Sequence, residues 1–112
     1  MENNYCVYKH TSPSGKVYIG QTKNIKDRWK ASSYKNCTIF YNAINKYGWE
    51  NITHEILKDN LTLDEANHWE WYYIEYYSST DKNYGYNVHS GGENKDFKQK
   101  TDKFKARYKE VY

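Results

Sequence analysis

Two short strand-like segments near the start of the chain, joined by a turn, most constrain its fold. The sequences Cys6-Val7-Tyr8 and Tyr18-Ile19-Gly20 each contain β-branched or aromatic residues that favour β-strands. Between them lies Pro13-Ser14-Gly15, in which proline presets a turn φ and glycine accepts a positive φ. We therefore predict a hairpin with strands over residues 5–10 and 16–21.

The length of the turn decides which side chains share a face of this hairpin. With a three-residue loop, Tyr8 pairs with Gly20, and Tyr18 then pairs with His10. Because side chains alternate along a strand, Tyr8 and Tyr18 become diagonal neighbours on one face. A register tightened by one pair would place them directly opposite, still on the same face.

Helix signals follow the hairpin. Asn24 is a suitable N-cap for a helix through about Lys35, and Asp27 lies in its first turn, where a negative charge is favoured. A second helix is predicted over residues 39–46, with Gly48 as its stop signal. Its apolar face has helical spacing and consists of Phe40, Ala43, Ile44 and Tyr47.

A third strand and a third helix complete the predicted elements. Residues 52–57 alternate in the manner of a strand, and Thr62 with Glu65 forms a capping box that starts a helix reaching about Tyr77. One stripe of this helix consists of Ala66, Trp69, Glu70, Tyr73, Ile74 and Tyr77. These elements predict an α/β (α+β) fold with a small three-stranded antiparallel sheet flanked by helices.

Glu70 is the one charged residue of that stripe. A carboxylate on a buried face is costly unless it is paired or bound to a metal ion. The alternative is a glutamate at the margin of the stripe, where it reaches solvent or a nearby lysine. The position therefore singles out Glu70 as a candidate functional residue.

The charge of the 112-residue chain is unevenly distributed. Residues 94–112 carry seven Lys or Arg against three Asp or Glu, whereas residues 1–93 carry ten against eleven. We predict a domain over residues 1–93 and a basic C-terminal tail over residues 94–112, which is either helical or a linker. The tail permits nucleic-acid binding but does not require it, since a solvated tail would have the same composition.

Several motifs occur in an order that resembles the GIY-YIG nuclease superfamily, and its homing-endonuclease-like members in particular. The resemblance runs roughly from Tyr5 to Gly91. The second motif, Tyr18-Ile19-Gly20, is intact, and the first is degenerate but keeps its tyrosine. The matching elements are Cys6-Val7-Tyr8, Tyr18-Ile19-Gly20, Arg28-Trp29, the segment 40–48, Glu70 and Gly85-Tyr86-Asn87.

The resemblance implies a metal-dependent endonuclease that hydrolyses phosphodiester bonds in DNA. Tyr8 would be the general base, and Arg28 would bind a non-bridging phosphate oxygen. Tyr18 would orient the water or the phosphate. Glu70 would hold one divalent ion, Mg²⁺ or in its place Mn²⁺, near the leaving 3′ oxygen. Asn87 would hold the local architecture or contact the site through a hydrogen bond.

One position departs from the family pattern. Many members have His or Tyr four residues after the arginine, where this chain has Ser32, and Tyr34 is the candidate substitute from the next turn. Two other functions stay open: a catalytically silent DNA-binding module on the same fold, and a small protein-interaction domain that uses its aromatic side chains. The oligomeric state and the DNA specificity are not determined by these patterns.

The remaining sequence signals concern thiols, histidines and location. Cys6 lies in a predicted strand and is expected to be a buried free thiol. The four histidines lack metal-ligand spacing. No signal peptide or long apolar run is found, so we expect an intracellular, cytoplasmic protein without a membrane partner. The resemblance points to a bacterial or phage-infected cell.

Overall fold

The structure, a computed structural model, describes residues 4–88. Strands β1 (Tyr5–Thr11), β2 (Val17–Thr22) and β3 (Thr53–Leu61) form an antiparallel sheet in the order β2-β1-β3. The helices are α1 (Ile25–Arg28), α2 (Thr38–Tyr47) and α3 (Leu63–Tyr77), with short 3₁₀ helices over Ala31–Tyr34 and Trp49–Asn51. This α+β architecture confirms the predicted fold. The predicted tail, residues 94–112, lies outside the described residues.

The hairpin has the register that a three-residue loop requires. Tyr8 pairs with Gly20 and His10 pairs with Tyr18. The turn is closed by the backbone N–H of Ser12, which donates to the Lys16 carbonyl oxygen at 3.0 Å. The local sequence at the turn therefore decided the pairing of both strands, as predicted.

The first helix is much shorter than predicted. It begins after Asn24, whose side chain accepts a hydrogen bond from the backbone N–H of Asp27, but it ends at Arg28 rather than near Lys35. Trp29 leaves the helical region with ψ of 66°, and the Ser33 hydroxyl donates to the Arg28 carbonyl oxygen in place of a helical N–H. The prediction of one long helix was wrong because a local side chain competes for the helix carbonyls.

The third strand is longer than predicted, and the third helix agrees with its start signal. Strand β3 continues through polar residues to Leu61, where pairing with Tyr5 of β1 outweighs their weak strand preference. The capping box is present, since the Thr62 hydroxyl accepts from the Glu65 N–H while the Glu65 carboxylate accepts from the Thr62 N–H.

The two faces of the sheet carry different cores. Helix α3 covers one face, where its buried side chains pack against Val7 and Ile19. The opposite face carries an aromatic cluster that includes Tyr8, Tyr34 and Phe40. Cys6 is buried and free, as expected. No helix within residues 4–88 combines the length and the apolar character needed to cross a membrane.

Candidate active site

The structure brings four of the candidate residues together on the aromatic face of the sheet. Nε of Arg28 donates to the Tyr8 hydroxyl at 3.0 Å, and the Arg28 guanidinium lies 4.2 Å from the centre of the Tyr34 ring. Tyr18 lies on the same face, with its ring edge-on to Tyr34 at 5.8 Å. Tyr8 and Tyr18 therefore share a face near Arg28, as predicted from the alternation of side chains along the hairpin strands.

Arg28 is positioned by the turn that ends the first helix. Its Nη1 donates to the Ser33 carbonyl oxygen at 2.8 Å, and its Nη2 lies 3.7 Å from Sγ of Cys37. The Cys37 sulfur also lies 3.5 Å from the Tyr18 hydroxyl. Cys37 thus joins Arg28 to Tyr18, a role that sequence reasoning missed because no motif marks this position.

Tyr8 has no exposed surface and contacts the opposite strand closely. A Cβ atom placed on Gly20 would lie 2.5 Å from Cζ of the Tyr8 ring, a distance that real Cβ atoms do not adopt. Only glycine therefore fits opposite this tyrosine. Because Tyr8 has no exposed surface, water can reach its hydroxyl oxygen only after a covering side chain, such as the hydrogen-bonded Arg28, moves.

Burial is the main influence on the pKa values of the three tyrosine hydroxyls at the site. It raises the pKa of Tyr8 above its ordinary value, although Arg28 acts in the opposite direction. Burial also raises the pKa of Tyr18 and that of Tyr34. Arg28 alone therefore does not produce a phenolate, and Tyr8 can act as a base only if its own proton moves as it accepts another.

Ser32 and Tyr34, the two residues considered at the departure from the family pattern, lie in different environments. Ser32 is exposed, whereas Tyr34 is fully buried with its hydroxyl 2.6 Å from Nε2 of His10. The Tyr34 hydroxyl also interacts with that of Tyr8. The sequence analysis missed His10, although its alternation with Tyr8 along β1 places both on one face.

Glu70 lies on α3 next to the edge strand β2. It is partly buried at the margin of the apolar stripe, and its Oε1 accepts a hydrogen bond from Nε2 of Gln21 at 3.1 Å. The same Gln21 nitrogen donates to Asn67. The negative charge of Glu70 also contributes to the raised pKa of Tyr8. Glu70 therefore lies at the margin of the stripe, where it accepts a hydrogen bond from the Gln21 amide.

The donor atoms around Glu70 are suited to a hard divalent cation. The Gln21 Oε1 oxygen is buried without a hydrogen-bond partner among residues 4–88, and it belongs to the same amide whose nitrogen donates to the carboxylate. No three His, Cys, Asp or Glu side chains cluster as a metal cage within the described residues. Mg²⁺ commonly uses one or two carboxylates together with water and substrate phosphate. The Glu70 region fits such an open site.

Asn87 contacts the second motif directly. Its Oδ1 accepts from the Ile19 backbone N–H at 2.8 Å, and its Nδ2 donates to the Ile19 carbonyl oxygen at 2.9 Å. The neighbouring backbone also pairs with β2, since the Tyr86 N–H donates to the Val17 carbonyl oxygen at 2.9 Å. Both hydrogen bonds from the Asn87 side chain therefore hold the strand between Tyr18 and Gly20.

Comparison with known proteins identifies the class of this domain. The sequence model of the GIY-YIG catalytic domain matches residues 4–87, which span the sheet, all three helices and the Asn87 contact. The chain therefore belongs to the GIY-YIG family of nuclease domains. No curated protein and no solved structure matches it.

Proposed function

We propose that this protein is a metal-dependent endonuclease that hydrolyses phosphodiester bonds in DNA. The hydrogen bond between Arg28 and the Tyr8 hydroxyl is the observation that carries the proposal, because it joins a base to a cation. In such a reaction Tyr8 takes a proton from water, and the resulting hydroxide attacks phosphorus. Arg28 binds a non-bridging oxygen of the same phosphate, and the bond to the 3′ oxygen breaks.

The remaining residues have supporting roles in this proposal. Glu70 would hold one Mg²⁺, which Mn²⁺ can replace, and the ion when bound supplies positive charge for the leaving 3′ oxygen. Tyr18 would orient the water or the phosphate beside Tyr8. Asn87 would keep β2 in register through its two bonds to Ile19.

Substrate binding would also uncover the base. The hydrogen bond from Arg28 to Tyr8 has a neutral acceptor, whereas a phosphate oxygen is negatively charged. The bond to Tyr8 already has a charged donor, but a phosphate adds the opposite charge and can accept two guanidinium N–H bonds at once. We therefore expect the guanidinium to move from Tyr8 toward a bound phosphate, which exposes the hydroxyl to water.

Plasmid nicking tests this function. We expect the protein to nick supercoiled DNA in Mg²⁺, to stop when the metal is chelated and to resume when Mn²⁺ is added. Tyr8→Phe should lose cleavage, whereas Tyr76→Phe, which changes an exposed tyrosine of α3, should keep it. DNA binding without any nicking would indicate the silent DNA-binding module, and no DNA binding at all would indicate a protein-interaction domain.

The distribution of charge supports DNA as the substrate. Within residues 23–35 five cationic side chains stand against one acidic side chain, and Arg28 is among them. The other described residues carry five cations against eight acids. The four lysines of the segment are exposed, and none forms an ion pair with another residue of the described part of the chain. They are Lys23, Lys26, Lys30 and Lys35.

We expect Lys26 and Lys30, when both are changed to alanine, to weaken DNA binding and reduce its salt dependence. Each phosphate contact contributes roughly −0.9 to the slope of log affinity against log salt concentration, so the double variant should lose about 1.8. Fluorescence anisotropy across a salt series measures this slope. Lys46 and Lys82, also exposed, form the matched control pair. Equal slopes for the two double variants would contradict a DNA-binding role for the segment.

A further inference from the structure

A series of buried and partly buried hydrogen bonds begins at Tyr34, beside Tyr8, and reaches the β3 edge of the sheet. Tyr8 interacts with the Tyr34 hydroxyl, which lies 2.6 Å from Nε2 of His10. Nδ1 of His10 lies 2.8 Å from Nδ1 of His54, and Nε2 of His54 lies 3.1 Å from the Trp49 carbonyl oxygen. His10 is fully buried, whereas His54 is only partly buried.

One acceptor sets the direction of every bond in this series. A carbonyl oxygen cannot donate, so the Trp49 oxygen requires a proton on Nε2 of His54. In neutral His54 the Nδ1 atom is then an acceptor, and Nδ1 of His10 must donate to it. The Nε2 atom of neutral His10 is in turn an acceptor, so Tyr34 donates to it. Tyr34 is left as the acceptor for the hydroxyl proton of Tyr8.

Charge and burial agree with neutral imidazoles at both positions. Burial lowers the pKa of His10 to about 3, with further contributions from His54 and Arg28. Burial also lowers the pKa of His54. The titratable or charged groups that face His10 are Tyr8, Tyr18, Tyr34, His54 and Arg28.

We propose that Tyr34, His10 and His54 form a proton relay that withdraws the hydroxyl proton of Tyr8 as Tyr8 accepts a proton from the attacking water. This inference rests on the proposed nuclease function. It supplies what the buried phenol lacks, namely a path for its own proton away from the substrate. Tyr34, His10 and His54 are positioning residues, because they act on the substrate only through Tyr8.

Every proton that moves along the relay has a defined donor and acceptor. Tyr8 passes its proton to Tyr34, Tyr34 passes its own to Nε2 of His10, and His10 passes its Nδ1 proton to Nδ1 of His54. His54 becomes an imidazolium whose Nε2–H still bonds to the Trp49 carbonyl oxygen. The proton taken from water replaces the one that Tyr8 lost. When Tyr8 later releases a proton to solvent, the shift reverses along the same bonds and His54 becomes neutral again.

Substitution of His54 tests the relay. His54→Gln keeps an amide donor and acceptor near Trp49 and His10 but cannot accept a proton, and we expect its single-turnover cleavage rate to fall about 10²-fold with unchanged DNA affinity. His54→Ala should be equally slow. Added imidazole should restore the alanine variant, whereas pyrazole, a far weaker base of the same size, should not. Near-wild-type cleavage by His54→Gln, or equal rescue by both rings, would overturn the relay.

A second measurement does not depend on cleavage. Nitrogen NMR of the wild-type protein should show the Nδ1–H tautomer for His10 and the Nε2–H tautomer for His54. A different tautomer at either ring would overturn the relay while leaving the nuclease function untouched. Absence of cleavage by the wild-type protein in Mg²⁺ or Mn²⁺ would overturn the nuclease function, and the relay with it.

Discussion

Changing Glu70 to glutamine is expected to abolish cleavage by this protein while its fold and most of its DNA affinity stay intact. The glutamine oxygen can still accept the hydrogen bond from Gln21, so the contact between α3 and the edge strand is preserved. What is lost is the negative charge that a hard divalent cation needs from its oxygen ligand. We expect cleavage to fall by at least about 10²-fold, measured by plasmid nicking in Mg²⁺.

Glu75→Gln is the matched control for this change. Glu75 lies on the same helix five residues after Glu70, is exposed, and would undergo the same loss of charge. It should retain activity, and both variants should keep the wild-type melting temperature. Nicking at the wild-type rate by Glu70→Gln would remove Glu70 from the metal site. Equal loss in both variants would show only that charge on α3 matters.

Gly20→Ala is expected to damage both stability and activity. The new methyl group would lie 2.5 Å from Cζ of the Tyr8 ring and closer still to its hydroxyl oxygen. Tyr8 is fully buried and packs against Trp29 and His10, so the ring cannot simply move aside. Overpacking of this kind costs about 1–3 kcal/mol of unfolding free energy. A hydroxyl displaced by about 1 Å should lower the cleavage rate by about 10²-fold.

Gly15→Ala separates this steric effect from a general intolerance of substitution at glycine. Gly15 has φ of +89° and no atom within 4 Å of the position that a Cβ would take, so alanine there meets open space. Its cost of about 1 kcal/mol comes from backbone strain alone. Thermal unfolding and single-turnover rates per folded molecule measure both variants. If Gly20→Ala cleaves at the rate of Gly15→Ala, the close contact with Tyr8 is unimportant for catalysis.

Local chemistry was sufficient to predict the hairpin and the start of the third helix. The register of β1 and β2 follows from the proline and glycine of the turn, and the capping box consists of residues three apart in the chain. Such features depend on neighbours in sequence, so they can be inferred without knowledge of the fold. The alternation of side chains that places Tyr8 and Tyr18 on one face also depends only on neighbours in sequence.

The end of the first helix has a local cause that the capping signals did not reveal, whereas the extent of β3 required the tertiary structure. Helical pattern continues past Arg28, but the Ser33 hydroxyl binds the Arg28 carbonyl oxygen and ends the helix there. Asn60 of β3 has a φ of 56°, outside the β region, and the pairing with β1 changes register near this position, between Tyr5 and Val7. The strand reaches Leu61 because Leu61 still pairs with Tyr5 of the central strand, a contact that the sequence of β3 does not reveal.

The amino-acid sequence by itself determined which residue types were present and which of them shared a strand or helix face. Only the tertiary structure decided which faces meet: Glu70 with Gln21, Cys37 with Arg28, and His10 with His54. The physical reason is the distance along the chain over which each interaction acts. Turn and capping signals act over three or four residues, whereas these contacts join residues 9 to 49 positions apart, and they form only when burial of the two cores brings the elements together.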